Sequence, residues 1–165
     1  MLVAGAAALA VLVVLALPLL SMHLAFTDAG NDLPAQTTRR AYDLLARGFG
    51  PGSNGPLVIA VELPAGGGTS TVTELQAGLQ QTPGVAFAVP AQYNAARDAA
   101  VMIVIPTTSP QDVRTQQLVT RIRQDVVPPV TQGSGVRALV TGETAAAVDS
   151  SHHLSTRLPY VIVGV

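Results

Sequence analysis

The sequence predicts an α+β fold, a four-stranded antiparallel sheet with both helices on one face, tethered to an apolar helix at its N-terminus. Three observations predict it. Strand and helix signals between Leu57 and Thr141 follow the order strand, helix, strand, strand, helix, strand. The chain has 165 residues, 48% hydrophobic and 12% charged, with a mean hydropathy of +0.42, yet Met1 to Thr27 contains no Asp, Glu, Lys or Arg. All 9 basic and 10 acidic residues lie between Asp28 and Arg157, so the middle of the chain has the make-up of an ordinary water-exposed domain. That middle stretch, about 130 residues, is long enough for one core and short for two.

Composition excludes several classes. A net charge of −1 with no basic run gives no footprint for nucleic acid. The absence of cysteine removes disulfide scaffolds, thiol nucleophiles and zinc–thiolate sites. Recurrent Val, Ile, Leu and Ala argue against disorder.

Taken in order, Leu2 to Leu20 is apolar throughout, broken only by Gly5 and Pro18. At about 1.5 Å per residue it nearly spans a hydrocarbon core of about 30 Å. A cleaved signal peptide is the rival reading, but no basic residue precedes the run and the run is too long. Residues 1–24 are therefore assigned to a transmembrane helix. Residues 25–56 form a connecting segment with an amphipathic helix over 36–48, capped by Thr37 or Thr38, with Ala41, Leu44 and Leu45 on one face and Gly48 ending it.

Leu57 to Leu63 is apolar at nearly every position, the pattern of a central strand buried on both faces. After the break at Gly66–Gly68, Thr71-Val72-Thr73-Glu74 reads as a capping box opening a helix with Val72, Leu75 and Leu79 inward. Pro83-Gly84 stops that helix, and Val85, Phe87 and Val89 alternate as a strand. Residues 90–98 read as a polar loop and Ala99 to Ile105 as a strand. Ser109-Pro110-Gln111-Asp112 begins a helix with Pro at its first position, presenting Leu118, Val119, Ile122 and Val126 until Pro128-Pro129 end it. Val136 to Thr141 is the last strand. Residues 57–141 thus spell the βαββαβ pattern of ferredoxin-like folds. Residues 142–157 return as a helix, and 158–165, apolar from Leu158 to Val165, read as the start of a second, truncated transmembrane helix.

No catalytic constellation emerges. Gly48 to Gly55 lacks the Lys-Ser/Thr pair of a phosphate loop and runs through Pro56 into a strand. Asp149 and His153 share a helix face, but a metal site needs further ligands and none is indicated. Ser150, Ser151 and His152 are neighbours on a helix and point apart, so no nucleophile–base pair forms. His23 reads as an interfacial residue. No metal, cofactor or enzymatic role is expected. Met1 to Met22 carries no ionisable side chain, so this stretch holds no proton relay.

The stretches Asp28-Ala29-Gly30-Asn31-Asp32-Leu33-Pro34, Thr38-Arg39-Arg40-Ala41-Tyr42-Asp43-Leu44-Leu45, Gly48-Phe49-Gly50-Pro51-Gly52 and Asn54-Gly55-Pro56-Leu57 closely resemble actinobacterial membrane transporters of the MMPL type, within the resistance-nodulation-division superfamily. Thr141-Gly142-Glu143-Thr144-Ala145, Asp149 and Leu158-Pro159 resemble the same family's return into its second helix. The resemblance implies a longer protein of two similar halves, each with six membrane helices and an external porter domain after its first helix. It also implies proton-driven export of lipids, drugs or other hydrophobic molecules, with residues of about 28–157 outside the cytoplasm. The partners it implies are the bilayer, the hydrophobic substrate, the other porter domain and the remaining membrane helices. Leu15-Ala16-Leu17-Pro18 and Ala41-Tyr42-Asp43-Leu44-Leu45 look more like the second half.

The resemblance assigns Gly30, Asp32, Pro34, Tyr42, Gly48, Phe49, Gly50, Gly52, Asn54, Gly55, Gly142, Thr144 and Asp149 to motif positions of structural type. Tyr42, Phe49 and Tyr93 are the candidate substrate contacts. The family's proton-carrying residues fall on later helices. The alternative class is a singly anchored or secreted extracytoplasmic binding domain.

Overall fold

Along strand β1 (Leu57–Glu62), Leu57, Ile59 and Val61 are buried while Val58 and Ala60 are half-buried and Glu62 exposed. That alternation decides which side of the sheet carries the core. The computed structural model describes residues 27–65, 67–151 and 153, together with Gly5, Val11 and Val14 as isolated helical positions. The transmembrane segments expected over 1–24 and 158–165, with His23 and His152, otherwise lie outside the described residues. Among the described residues no helix is long and apolar enough to cross a membrane.

Helix α1 spans Thr37–Phe49 and α2 Thr69–Gln81. Strands β2 (Val85–Ala88), β3 (Gln92–Tyr93) and β4 (Ala99–Pro106) follow. Helix α3 (Val113–Arg121) continues through a π turn (Ile122–Val126) into α4 (Val127–Thr131), then β5 (Arg137–Thr141). Residues 143–151 are helical and are termed α5. The sheet order is β2-β4-β1-β5, every pairing antiparallel. Counting β1, β2, β4 and β5 as the four strands of the motif, this is the split βαββαβ order expected from the sequence.

The core lies on one face. Ile59 is opposite Met102 on one side and Val140 on the other, and Leu57 is opposite Val104. Val72, Leu75 and Leu79 of α2 cover this face with Leu118, Val119, Ile122 and Val127 of the α3–α4 helix, so both helices lie on the same side. Each such side chain, fully buried, contributes roughly 1.5–3 kcal/mol.

The structure corrects several local expectations. β1 is not buried on both faces: among the described residues no helix covers the side bearing Val58 and Ala60, both half-buried, and across the sheet Leu139 is 61% exposed. A bulge between Val85 and Phe87 turns Phe87 outward, half exposed, and Ala88 inward. The supposed loop 90–98 contains β3, which shares the outer edge of β4 with β2.

Helix ends differ too. α2 begins at Thr69 after Gly68, and Thr71 is buried in the first turn rather than capping it. Gly68 stands at φ +96°, where a side chain would meet Leu63 and Val136 at 2.9 Å, so packing sets this start. α3 is capped by Asp112, whose carboxylate accepts from the Arg114 amide at 2.8 Å, leaving Pro110 in the preceding turn. Pro128-Pro129 do not end the helix. The π turn ahead of them places Pro in the first turn of α4, where a missing N–H costs no hydrogen bond. α1 is capped by neither Thr37 nor Thr38 and ends at Gly50, φ +91°, rather than at Gly48. None of its residues is buried, and Leu44 is 67% exposed.

Candidate functional site

Asp28 forms an Asx-type turn ahead of α1: its Oδ1 accepts from the Gly30 amide at 2.8 Å. The same oxygen accepts from Gln111 Nε2 at 2.7 Å, from the turn that precedes α3. Arg39 of α1 donates to the Gly30 carbonyl at 2.5 Å and to Asp43 at 3.0 Å, and Thr38 donates to Asp32. These bonds fasten residues 28–32 to α1. Asn54 does the same for the glycine-rich loop, donating to the Tyr42 carbonyl at 3.1 Å.

Between these elements lies a cavity of about 820 Å³, lined by Asp28, Asp32, Ala41, Tyr42, Leu45, Asn54, Gln111, Glu143 and Thr144 among others. Its size falls within the range of ligand pockets, roughly 300–1,000 Å³. The lining is mostly apolar, and among the described residues it holds three carboxylates and no Arg, Lys or His. Among the described residues, Asp28 Oδ2 and Thr144 Oγ1 are buried side-chain oxygens without a hydrogen-bond partner. The Tyr42 hydroxyl is held above its ordinary value, first by burial and then by the nearby Asp28 carboxylate.

Several glycines of the sequence motifs stand where backbone and side chains crowd. A side chain at Gly30 would meet the Tyr42 ring at 2.9 Å. At Gly52 it would meet the Pro106 carbonyl oxygen at 1.8 Å, and at Gly55 it would meet Pro110 at 2.4 Å and Thr144 Oγ1 at 2.8 Å. Gly142, φ +111°, lies against the Pro56 carbonyl. Gly48 has open space around it. Pro34 stands exposed in the turn before α1 and is not one of the residues lining the cavity.

The motif stretches 28–57 and 141–149, far apart in sequence, therefore meet around one cavity. Of the three aromatic candidates, Tyr42 lines it. Phe49 is 76% exposed at the end of α1, and Tyr93 is opposite Ala100 on the sheet edge, so the three do not converge. Asp149 does not stand alone with His153: it holds Arg123 through two hydrogen bonds of 2.5 and 3.0 Å. Among the described residues no group of three or more metal-ligating side chains gathers. Gln111 and Glu143 line the cavity although the sequence, which places them in a helix start and in a motif stretch, assigns neither to a site. An isolated Gln in a turn carries no pattern that would have revealed its reach to Asp28.

Membrane protein YdfJ of Bacillus subtilis (strain 168) is 37% identical over 159 residues, which cover 93% of this chain. The chain is a relative of the MmpL-type membrane transport proteins. The heme uptake protein MmpL11 of Mycobacterium tuberculosis (strain ATCC 25618 / H37Rv) and the probable transport protein MmpL11 of Mycobacterium bovis are each 28% identical over 169 residues, 96% of this chain. The chain spans 21% of the length of YdfJ and 17% of each MmpL11. Among solved structures, the mycobacterial membrane protein MmpL11D2 covers 52% of this chain at 17% identity with a TM-score of 0.42. No protein-family model matches the chain.

Proposed function

We propose that this chain is the porter-domain segment of a membrane exporter that moves lipids, drugs or other hydrophobic molecules at the expense of the proton gradient. The observation that carries the reading is the 37% identity to a membrane protein across 93% of the chain. A mostly apolar cavity between the motif stretches supports it. In this reading residues 1–24 cross the bilayer, 25–56 connect, 57–141 form the ferredoxin-like porter subdomain outside the cytoplasm, 142–157 return and 158–165 begin the next span. The motif positions hold the module's shape. The domain works against the other porter domain and the membrane helices, its rigid-body motion opening and closing a substrate path. Tyr42 touches the substrate from the cavity wall, while Phe49 and Tyr93 are exposed enough to do so elsewhere.

The test uses cells expressing the complete gene and loaded with Nile red. Faster dye efflux than in cells lacking the gene, abolished by a protonophore and slowed by Tyr42→Ala, is the expected result. Efflux indifferent to the gene and to the protonophore, with the domain released into the medium or held by a single anchor, would instead establish the binding-domain alternative.

A further inference from the structure

We propose that the cavity beside Asp28 is a binding site for the amine end of a cationic amphiphile, the ammonium group pairing with the Asp28 carboxylate and the Thr144 hydroxyl. Three independent features of the cavity point to that chemistry. The first is charge: Asp28, Asp32 and Glu143 line it, and among the described residues no cationic side chain does. An anion entering would meet three like charges, offset only in part by Arg39, whose guanidinium is bonded to Asp43 and the Gly30 carbonyl beside Tyr42, whereas an ammonium group is attracted by all three.

The second is the pair of unpartnered oxygens. Gly30 and Gln111 both donate to Asp28 Oδ1, which leaves Oδ2 without a donor. Thr144 is 3% exposed and its hydroxyl has no partner, although Gly55 leaves the hydroxyl just enough space. A buried acceptor without a donor is costly, more so when it is charged. An ammonium carries three donors and no acceptor, which is what a carboxylate oxygen and a hydroxyl oxygen together require.

The third is shape. At about 820 Å³ the cavity far exceeds a metal ion or a single water, and no cluster of three metal-ligating residues forms among the described residues. Ala41, Leu45 and the Tyr42 ring supply a wall for an alkyl chain. A ligand with a donor head and an apolar body fits both halves of the lining. The proposal deepens the porter reading and rests on it for why such a molecule is there, as cargo in passage. Occupancy itself is measured without any transport.

The experiment is isothermal titration of octylammonium, octanol and octanoate into the complete protein in nanodiscs, with empty nanodiscs as the baseline. The expected result is binding in the order octylammonium, octanol, octanoate, with octylammonium at least about tenfold tighter than octanoate. Asp28→Asn should lower octylammonium affinity about tenfold or more while leaving octanol within about twofold, because only the charged pair is lost. Thr144→Val should weaken octylammonium by a smaller factor, and Glu74→Gln, a lost charge on the exposed side of α2 away from the cavity, should change nothing.

The three-ligand series on the unaltered protein keeps the test decisive if Asp28→Asn fails to fold. Equal binding of the three ligands, or octylammonium binding that survives Asp28→Asn unchanged, would overturn the proposal. Selective binding in a protein that exports nothing would uphold the site and remove the exporter reading. Export without selective binding would do the reverse.

Discussion

Arg123 holds Asp149 with both terminal nitrogens, at 2.5 and 3.0 Å, while one of them also donates to the Val140 carbonyl at 2.9 Å. One guanidinium thereby joins the π turn to β5 and to α5, the helix whose first turns wall the cavity. Both side chains are partly exposed, so the pair adds on the order of 0–1 kcal/mol to stability. Its larger consequence is positional. In the complete protein, Arg123→Met keeps the aliphatic stem and removes the fork. Amide exchange over residues 143–148 should speed up several-fold, with little change in β1 or β4. Unchanged exchange there would mean that packing alone seats α5.

Tyr42 carries a prediction in alkaline solution. Burial and the Asp28 carboxylate both disfavour its phenolate, so its folded-state pKa lies above the unfolded value of 10.0. Above pH 10.0 the folded state keeps a proton that the unfolded state releases, so stability falls as pH rises from there through the raised folded value. Tyr42→Phe should flatten that fall while leaving stability near pH 7 little changed. In an ultraviolet titration of the complete protein, the same substitution should remove a late-ionising tyrosinate component. If the late component persists in the variant, another tyrosine is responsible.

Gly52 and Gly48 lie four residues apart in the same motif, and their surroundings predict opposite outcomes. A Cβ at Gly52 would stand 1.8 Å from the Pro106 carbonyl oxygen, where only backbone movement makes room. Gly52→Ala should therefore destabilise by about 2 kcal/mol or more and separate the loop from β4. Gly48 is helical, within α1, and has nothing within 4 Å. Gly48→Ala should be neutral or stabilise by about 0.5–1 kcal/mol, through loss of unfolded-state freedom. Thermal unfolding of the two variants under identical conditions compares them directly.

The core of the fold was readable because it is written at short range. Val72, Leu75 and Leu79 recur at helical spacing, and the strand order from Leu57 to Thr141 admits few topologies. Which face of the sheet would stay open was not readable, because Val58 and Ala60 are as apolar as Leu57 and Ile59. β3 was missed since Gln92 and Tyr93 make a strand of two exposed residues, held only by the edge of β4. The cavity was half legible. The resemblance marked Asp32, Tyr42, Asn54 and Thr144 as motif positions, but not that they share a cavity. The bond from Gln111 to Asp28, which closes it, spans 83 residues with no local pattern at either end.

Two acidic residues at helix starts offer a final contrast. Glu74 completes the Thr71 capping box in sequence, yet α2 starts at Thr69 and Thr71 is buried, so no such box forms. Asp112 lies in a stretch that reads as a Pro-led start, yet its carboxylate is the N-cap of α3 and also binds the Arg114 side chain at 2.6 Å. Asp112→Ala should cost about 1 kcal/mol, whereas Glu74→Ala should stay within about 0.5 kcal/mol. The Arg114 side chain, and then its amide, hold the Asp112 carboxyl below its ordinary value of 3.8. Its stabilising effect is accordingly present above the unfolded carboxylate range and lost as pH falls through the lowered folded value. The stabilities of Asp112→Ala and the unaltered protein should converge once the pH falls below the lowered folded value, where the cap is protonated in both states. A cost that persists undiminished there would show that Asp112 acts through packing rather than as a charged cap.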